Sequence, residues 1–73
     1  DINVATDSYI MLNVYDINGR IISTLADDSY DAGYHSFIWN GLDQYGNKVS
    51  AGIYFYSLQT KEMTLTKKMI LMK

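Results

Sequence analysis

The chain contains no cysteine, no proline and a single histidine, His35. Without thiols, and with one imidazole, it cannot build a zinc site, an iron–sulfur centre or a thiol nucleophile. No disulfide can staple it either, and at 73 residues it is one small domain whose core has little margin. The missing cysteines do not exclude export, because extracellular sandwiches can do without disulfides. No apolar run approaches the roughly 20 residues that cross a bilayer, so membrane insertion is not expected. A signal-peptide pattern is absent, and the chain opens at Asp1 rather than methionine, so it reads as a module of a longer polypeptide. None of the five glycines belongs to a Gly-x-Gly-x-x-Gly or Gly-Lys-Ser/Thr loop, which removes the phosphate-cradling motifs. An acidic balance of −2 with no dense Lys/Arg cluster argues against nucleic acid as a partner.

What is present suits a packed β domain. Hydrophobic residues make up 48% and aromatics 14%, too much for a disordered segment. Seven of the aromatics are tyrosine, against two phenylalanines and one tryptophan. A ring with one apolar body and one wet end fits strands half-buried in a thin sandwich. Charge is unevenly laid out. The acids fall before Val49 with the exception of Glu62, whereas Lys61, Lys67, Lys68 and Lys73 gather toward the C-terminus. The plain reading is a last strand with lysines on its outer face; a surface read by a partner is the alternative.

Period-two alternation dominates, and no segment shows helical periodicity. Ile2 and Val4 alternate with polar neighbours as the tail of a strand. Tyr9–Tyr15 predicts a strand with Ile10, Leu12 and Val14 on one face. Asp16-Ile17-Asn18-Gly19 ends it with an Asn-Gly hairpin signal, in which both residues tolerate positive φ. Arg20–Ala26 returns as the partner, anchored by Ile22 and Leu25, and Asp27–Gly33 reads as an acidic loop. Tyr34–Trp39 predicts a third strand with His35, Phe37 and Trp39 toward the core. Ile53–Thr60 carries large apolar groups on both faces and so predicts a central strand covered on each side. Lys61-Glu62-Met63 is a short connection, and Thr64–Met72 closes the fold with Leu65, Met69 and Leu71 inward and Lys67 at the rim. About six or seven strands, with turn signals every roughly 8–12 residues, predict an all-β antiparallel sandwich of the immunoglobulin or fibronectin III type over residues 1–73, in one reading lacking its first strand. Leu12, Val14, Phe37, Trp39, Tyr56 and Leu58 are its expected core.

Catalytic chemistry finds no foothold. His35 has no serine, cysteine and acid set placed to work with it and reads as a hydrogen-bonded residue at the core's edge. Asp27, Asp28 and Asp31 crowd one loop, whereas a glycosidase pair needs carboxylates across a cleft. Asn40, Asp43 and Asn47 could ligate a hard cation, but their spacing is not that of an EF-hand, and successive Asx-capped turns are the better reading. The expectation is a non-enzyme without cofactor.

Five segments stand in an order that says more. Val14-Tyr15-Asp16-Ile17-Asn18-Gly19-Arg20 is followed by Ala32-Gly33-Tyr34-His35, then Trp39-Asn40-Gly41-Leu42-Asp43 with Gly46 and Val49. Ala51-Gly52-Ile53-Tyr54-Phe55-Tyr56 comes next, and Lys68-Met69-Ile70-Leu71 ends the series. Together they resemble the C-terminal sorting domain of the type IX secretion system, in the form similar to the Ig-like domain of the flagellar hook-capping protein. The resemblance covers Ile10 to Lys73. It departs from the family at the start, where an Asn-Pro-rich segment is usual and this chain has no proline.

The resemblance implies a non-catalytic domain at the C-terminus of exported cargo in Bacteroidetes and related bacteria. Its implied partners are the outer-membrane translocon, a cell-surface transpeptidase and the upstream domains of its own polypeptide. The implied location is the cell surface or medium, reached through the periplasm. Gly52, Tyr54, Lys67, Lys68, Met69, Ile70 and Leu71 are then the expected recognition residues, with ordinary edge-strand packing as their plain alternative, and a sorting signal of this kind is expected to stop near Lys73. The competing expectations are a structural Ig-like module, of hook-cap or stalk type, and a carbohydrate-binding module that would need Trp39 and the tyrosines as an exposed flat row.

Overall fold

The computed structural model describes residues 2–4 and 6–72, with only the backbone of residues 2 and 3; Lys73 and the side-chain alternation expected at Ile2 lie outside it. The strands are β1 (Ile2–Val4), β2 (Ser8–Tyr15), β3 (Ile21–Tyr30), β4 (Gly33–His35), β5 (Gly52–Gln59) and β6 (Thr64–Leu71), and no helix occurs among the described residues. Strands β3, β2, β5 and β6, in that order, form one antiparallel sheet, and β1 pairs with β4 in a second, smaller layer. The architecture is the small all-β sandwich that the alternation predicts.

Alternating side chains put Ile10, Leu12 and Val14 of β2 on the inner face, where Ile10 and Val14 are 0% exposed. Ile10 and Leu12 cluster with Val4, Ala26 and Leu58, and Leu25, Tyr30, Phe37, Tyr56 and Leu65 pack against that cluster half-buried. Of the expected core, Leu12, Val14 and Leu58 are buried, whereas Phe37, Trp39 and Tyr56 are half-buried beneath a thin cover. Val4, Ala26 and Tyr54 join the core from outside the expected set.

Four expectations need correction. First, β3 runs on through Asp27, Asp28 and Ser29 to Tyr30, so the acidic stretch is mostly strand. Aspartate disfavours strands by composition, but at a sheet edge pairing with β2 outweighs that preference. Leu25 and Ile22 are the residues skipped where the β2–β3 register shifts. The expected anchors are thus β-bulges, and Leu25 still turns its side chain onto the core. Second, strand pairing at Tyr34–Trp39 stops at His35. The alternation nevertheless persists, with His35, Phe37 and Trp39 half-buried while Tyr34 and Ile38 are 80% and 87% exposed.

Third, β5 is central but covered on one face only. Ile53 is exposed on its outer side, and a polar row crosses the sheet there through Thr24, Asn13, Ser57 and Thr66. Thr24 Oγ1 donates to Asn13 Oδ1 at 2.7 Å, which satisfies the buried amide. Fourth, the Asn-Gly turn is not of the doubly positive-φ type. Within this turn only Gly19 is left-handed, at φ +84°, and among the described residues no non-glycine has positive φ.

The inner row of β2 sets a stability expectation. Ile10→Val should destabilise by about 1 kcal/mol and Ile10→Ala by about 3 kcal/mol, against a total of roughly 4–10 kcal/mol for a chain of this length. Urea denaturation should therefore show a shifted midpoint for the valine variant and a roughly threefold larger shift for the alanine variant, which stays folded without urea.

Candidate functional site

Four of the five motif segments meet at one end of the sandwich. Asp16 closes the β2–β3 turn. Its backbone N–H donates to Arg20 O at 3.0 Å, and its Oδ1 accepts from the amides of Asn18 at 2.9 Å and Arg20 at 3.0 Å. Arg20 Nε completes the loop with a 3.0 Å ion pair to Asp16 Oδ2. The loop after Trp39 repeats this build around Asp43. Asp43 N–H donates to Asn47 O at 2.8 Å, and Asp43 Oδ1 accepts from Tyr45 and Asn47 amides, both at 2.9 Å. Glycine fills the left-handed position in each, Gly19 at +84° and Gly46 at +85°. The Asx-turn reading of this stretch is the observed one, with Asn40 Oδ1 also accepting from Leu42 N.

Trp39 and Gly41 tie the second turn's loop to the last two strands. Trp39 Nε1–H donates to Leu42 O at 2.9 Å, and the indole meets the Tyr54 ring edge-on with centroids 5.0 Å apart. Tyr54 in turn donates its hydroxyl to Ser50 O at 2.7 Å. Gly41 is buried against Leu71, whose methyl carbons would lie 3.6 Å from a Cβ at that position. The bulged Ile22 offers its carbonyl to the Gln44 amide at 2.9 Å, joining the second Asp turn to β3. The fifth segment, Ala32 to His35, lies away from this end, since β3 meets the start of β2 through Tyr30 and Ser8. There His35 Nε2–H donates to Asp31 O at 2.7 Å and its ring packs against Tyr30.

The seven expected recognition residues lie on β5 and β6, which run in register from Gly52↔Leu71 through Tyr54↔Met69 and Tyr56↔Lys67. They do not share one surface. Tyr54 is buried, Gly52, Met69 and Leu71 are half-buried, and Lys67, Lys68 and Ile70 are exposed. Lys67 stands on the inner side, beside an apolar cavity of about 320 Å³ that Trp39, Tyr56, Leu65 and Met69 help to line. Lys68 and Ile70 stand on the outer side, beside Phe55 and Ile53. Sequence reasoning misses the duplicated Asp turn, although the spacing Asp-x-x-Gly-x occurs at both Asp16 and Asp43 and could have shown it.

A family model, the FlgD Ig-like domain, matches residues 3–63. The chain belongs to that family. The match takes in both Asp turns, Trp39 and β5, and stops before β6. No curated protein and no solved structure matches the chain.

The Asp turns yield two expectations. The Asp16 carboxyl is held below its ordinary value, first by the Arg20 amide and further by the Arg20 side chain and the Asn18 amide, against desolvation. A depressed folded pKa stabilises above the unfolded value and is lost as pH falls through the folded one. The gap in urea midpoint between wild type and Asp16→Asn should therefore narrow as pH drops below about 4. Asp43→Ala removes two bonds to backbone amides and should destabilise by about 1–2 kcal/mol. Hydrogen exchange should show protection lost at the Tyr45 and Asn47 amides.

Proposed function

We propose that the domain is a non-catalytic sorting module that directs a larger cargo polypeptide through the type IX secretion system to the cell surface or medium. The observation that carries this reading is the attachment of β6 to the motif end. Its Leu71 packs on Gly41, its register with β5 is unbroken, and it keeps Lys67, Lys68 and Ile70 exposed. A translocon can read such a strand without a cleft, and the inner face of the sheet is already committed to the domain's own core. The partners in this reading are the translocon, the surface transpeptidase and the upstream domains of the same polypeptide.

A second reading, a structural Ig-like module of hook-cap or stalk type, draws on the family match over residues 3–63, which does not include β6. The carbohydrate-binding reading has less support, because Trp39 turns its indole N–H to Leu42 O and its ring to Tyr54 rather than joining a flat exposed row.

A reporter fused to the domain in a type IX-competent host separates the first two. The wild-type fusion should appear outside the cell, and Lys68→Glu with Ile70→Glu, both on exposed outer-face positions, should be retained in the periplasm while keeping a native near-ultraviolet spectrum. Retention of the wild-type fusion overturns the sorting role and leaves the structural module.

A further inference from the structure

The two edges of the large sheet are built differently. At β3 the register shifts twice and the strand carries exposed Asp27 and Asp28, features that discourage another strand from adding there. At β6 the register with β5 is continuous from Thr64 to Leu71, with no bulge and no proline. Strand β6 is the last in the sheet, so among the described residues its outer edge offers unpaired backbone groups at alternate positions. Beside that edge, on the inner side, lies the cavity under Phe37 and Trp39, with Leu65 and Met69 on its wall and Lys67 as its one charged lining residue among the described residues.

We propose that the outer edge of β6 is a strand-addition site for an extended segment of a partner protein, apolar at alternate positions and carrying one carboxylate opposite Lys67. Main-chain hydrogen bonds along β6 supply the pairing, and side chains on one face of the added strand lie at the mouth of the cavity next to Leu65, Lys67 and Met69. The lone cation on an apolar wall selects the carboxylate. A second copy is a poor occupant on the same grounds. Antiparallel self-pairing about the middle of β6 sets Lys67, or in the neighbouring register Lys68, directly against its own equivalent, and like charges directly opposite are unfavourable. The β3 edge of another copy is interrupted by its bulges. The site is independent of the export reading, since it concerns binding by the isolated domain and not passage across a membrane.

The test uses synthetic peptides as long as β6, alternating valine and threonine, with aspartate at one valine-face position in one peptide and lysine there in the other. On titration followed by amide NMR, the aspartate peptide should slow exchange at alternate β6 amides and bind roughly threefold to fivefold tighter than the lysine peptide. The preference should invert in Lys67→Glu, whose fold is checked by its amide spectrum. The proposal is overturned if neither peptide binds at millimolar concentration, if the perturbed amides lie outside β6, or if both peptides bind equally. Dimerisation without peptide in analytical ultracentrifugation, with protection confined to β6, likewise overturns it in favour of a second copy.

Discussion

Trp39 holds down the part of the inner face that, among the described residues, no strand covers. The second layer contributes only three residues each from β1 and β4, so the segment after His35 must shield apolar side chains without a ladder of its own. Irregular backbone can lie over a core only when its polar groups find partners. Here the partners are local: the indole N–H on Leu42 O, Asn40 Oδ1 on the Leu42 amide, and the Val49 amide on Gly41 O at 3.0 Å. With those bonds made, Phe37 meets Tyr30 edge-on and Trp39 meets Tyr54 the same way, a geometry that ring quadrupoles favour. The segment keeps the in–out alternation of a strand because packing, rather than strand pairing, demands it.

The same need explains why the two Asp turns sit where they do. Each connects chain runs that must stay close to the sheet end, and each satisfies two amides with one carboxylate oxygen while glycine takes the left-handed position. The bulge at Ile22 serves this end as well. An extra residue in one strand frees a carbonyl from the ladder, and that carbonyl accepts from Gln44 in the second turn. The first hairpin thereby fastens the long connection that carries Trp39.

Strands β2, β5 and β6 are legible in the sequence because each buries one face, and burial writes a period of two into residue types. The inward set on β6, Leu65, Met69 and Leu71, follows from the same rule. The end of β3 is not legible, because Asp27 and Asp28 carry a loop composition while their strand character comes from pairing across to Met11 and Ile10. The turn at Asn18 misleads for a different reason. An Asn-Gly pair permits two left-handed residues, but the Asp16 carboxylate caps the turn with only Gly19 left-handed. Within the candidate site, motif order is readable and motif convergence is not. Gly41 and Leu71 are far apart in the chain, and nothing in either residue alone announces that a missing Cβ on one makes room for the methyls of the other.

A sandwich this thin divides its surfaces by what they must do. Most of the inner face is occupied by the core, so contact with another molecule falls to the outer face, the edges and the cavity mouth beside β6. The outer face is not uniformly apolar: the Thr24–Asn13–Ser57–Thr66 row separates Tyr9 and Met11 from Ile53, Phe55 and Ile70. Such a row keeps the apolar side chains from merging into one large patch, which a domain with a small core could not carry without risk of association. The edges then differ in charge as well as in regularity, acidic and bulged at β3, basic and straight at β6. A strand edge guarded only by lysines resists its own copies through like charge but remains open to an acidic strand. In this fold, selectivity at an edge therefore comes from the sign of the guarding charge, while the regularity of the strand decides whether the edge can be used at all.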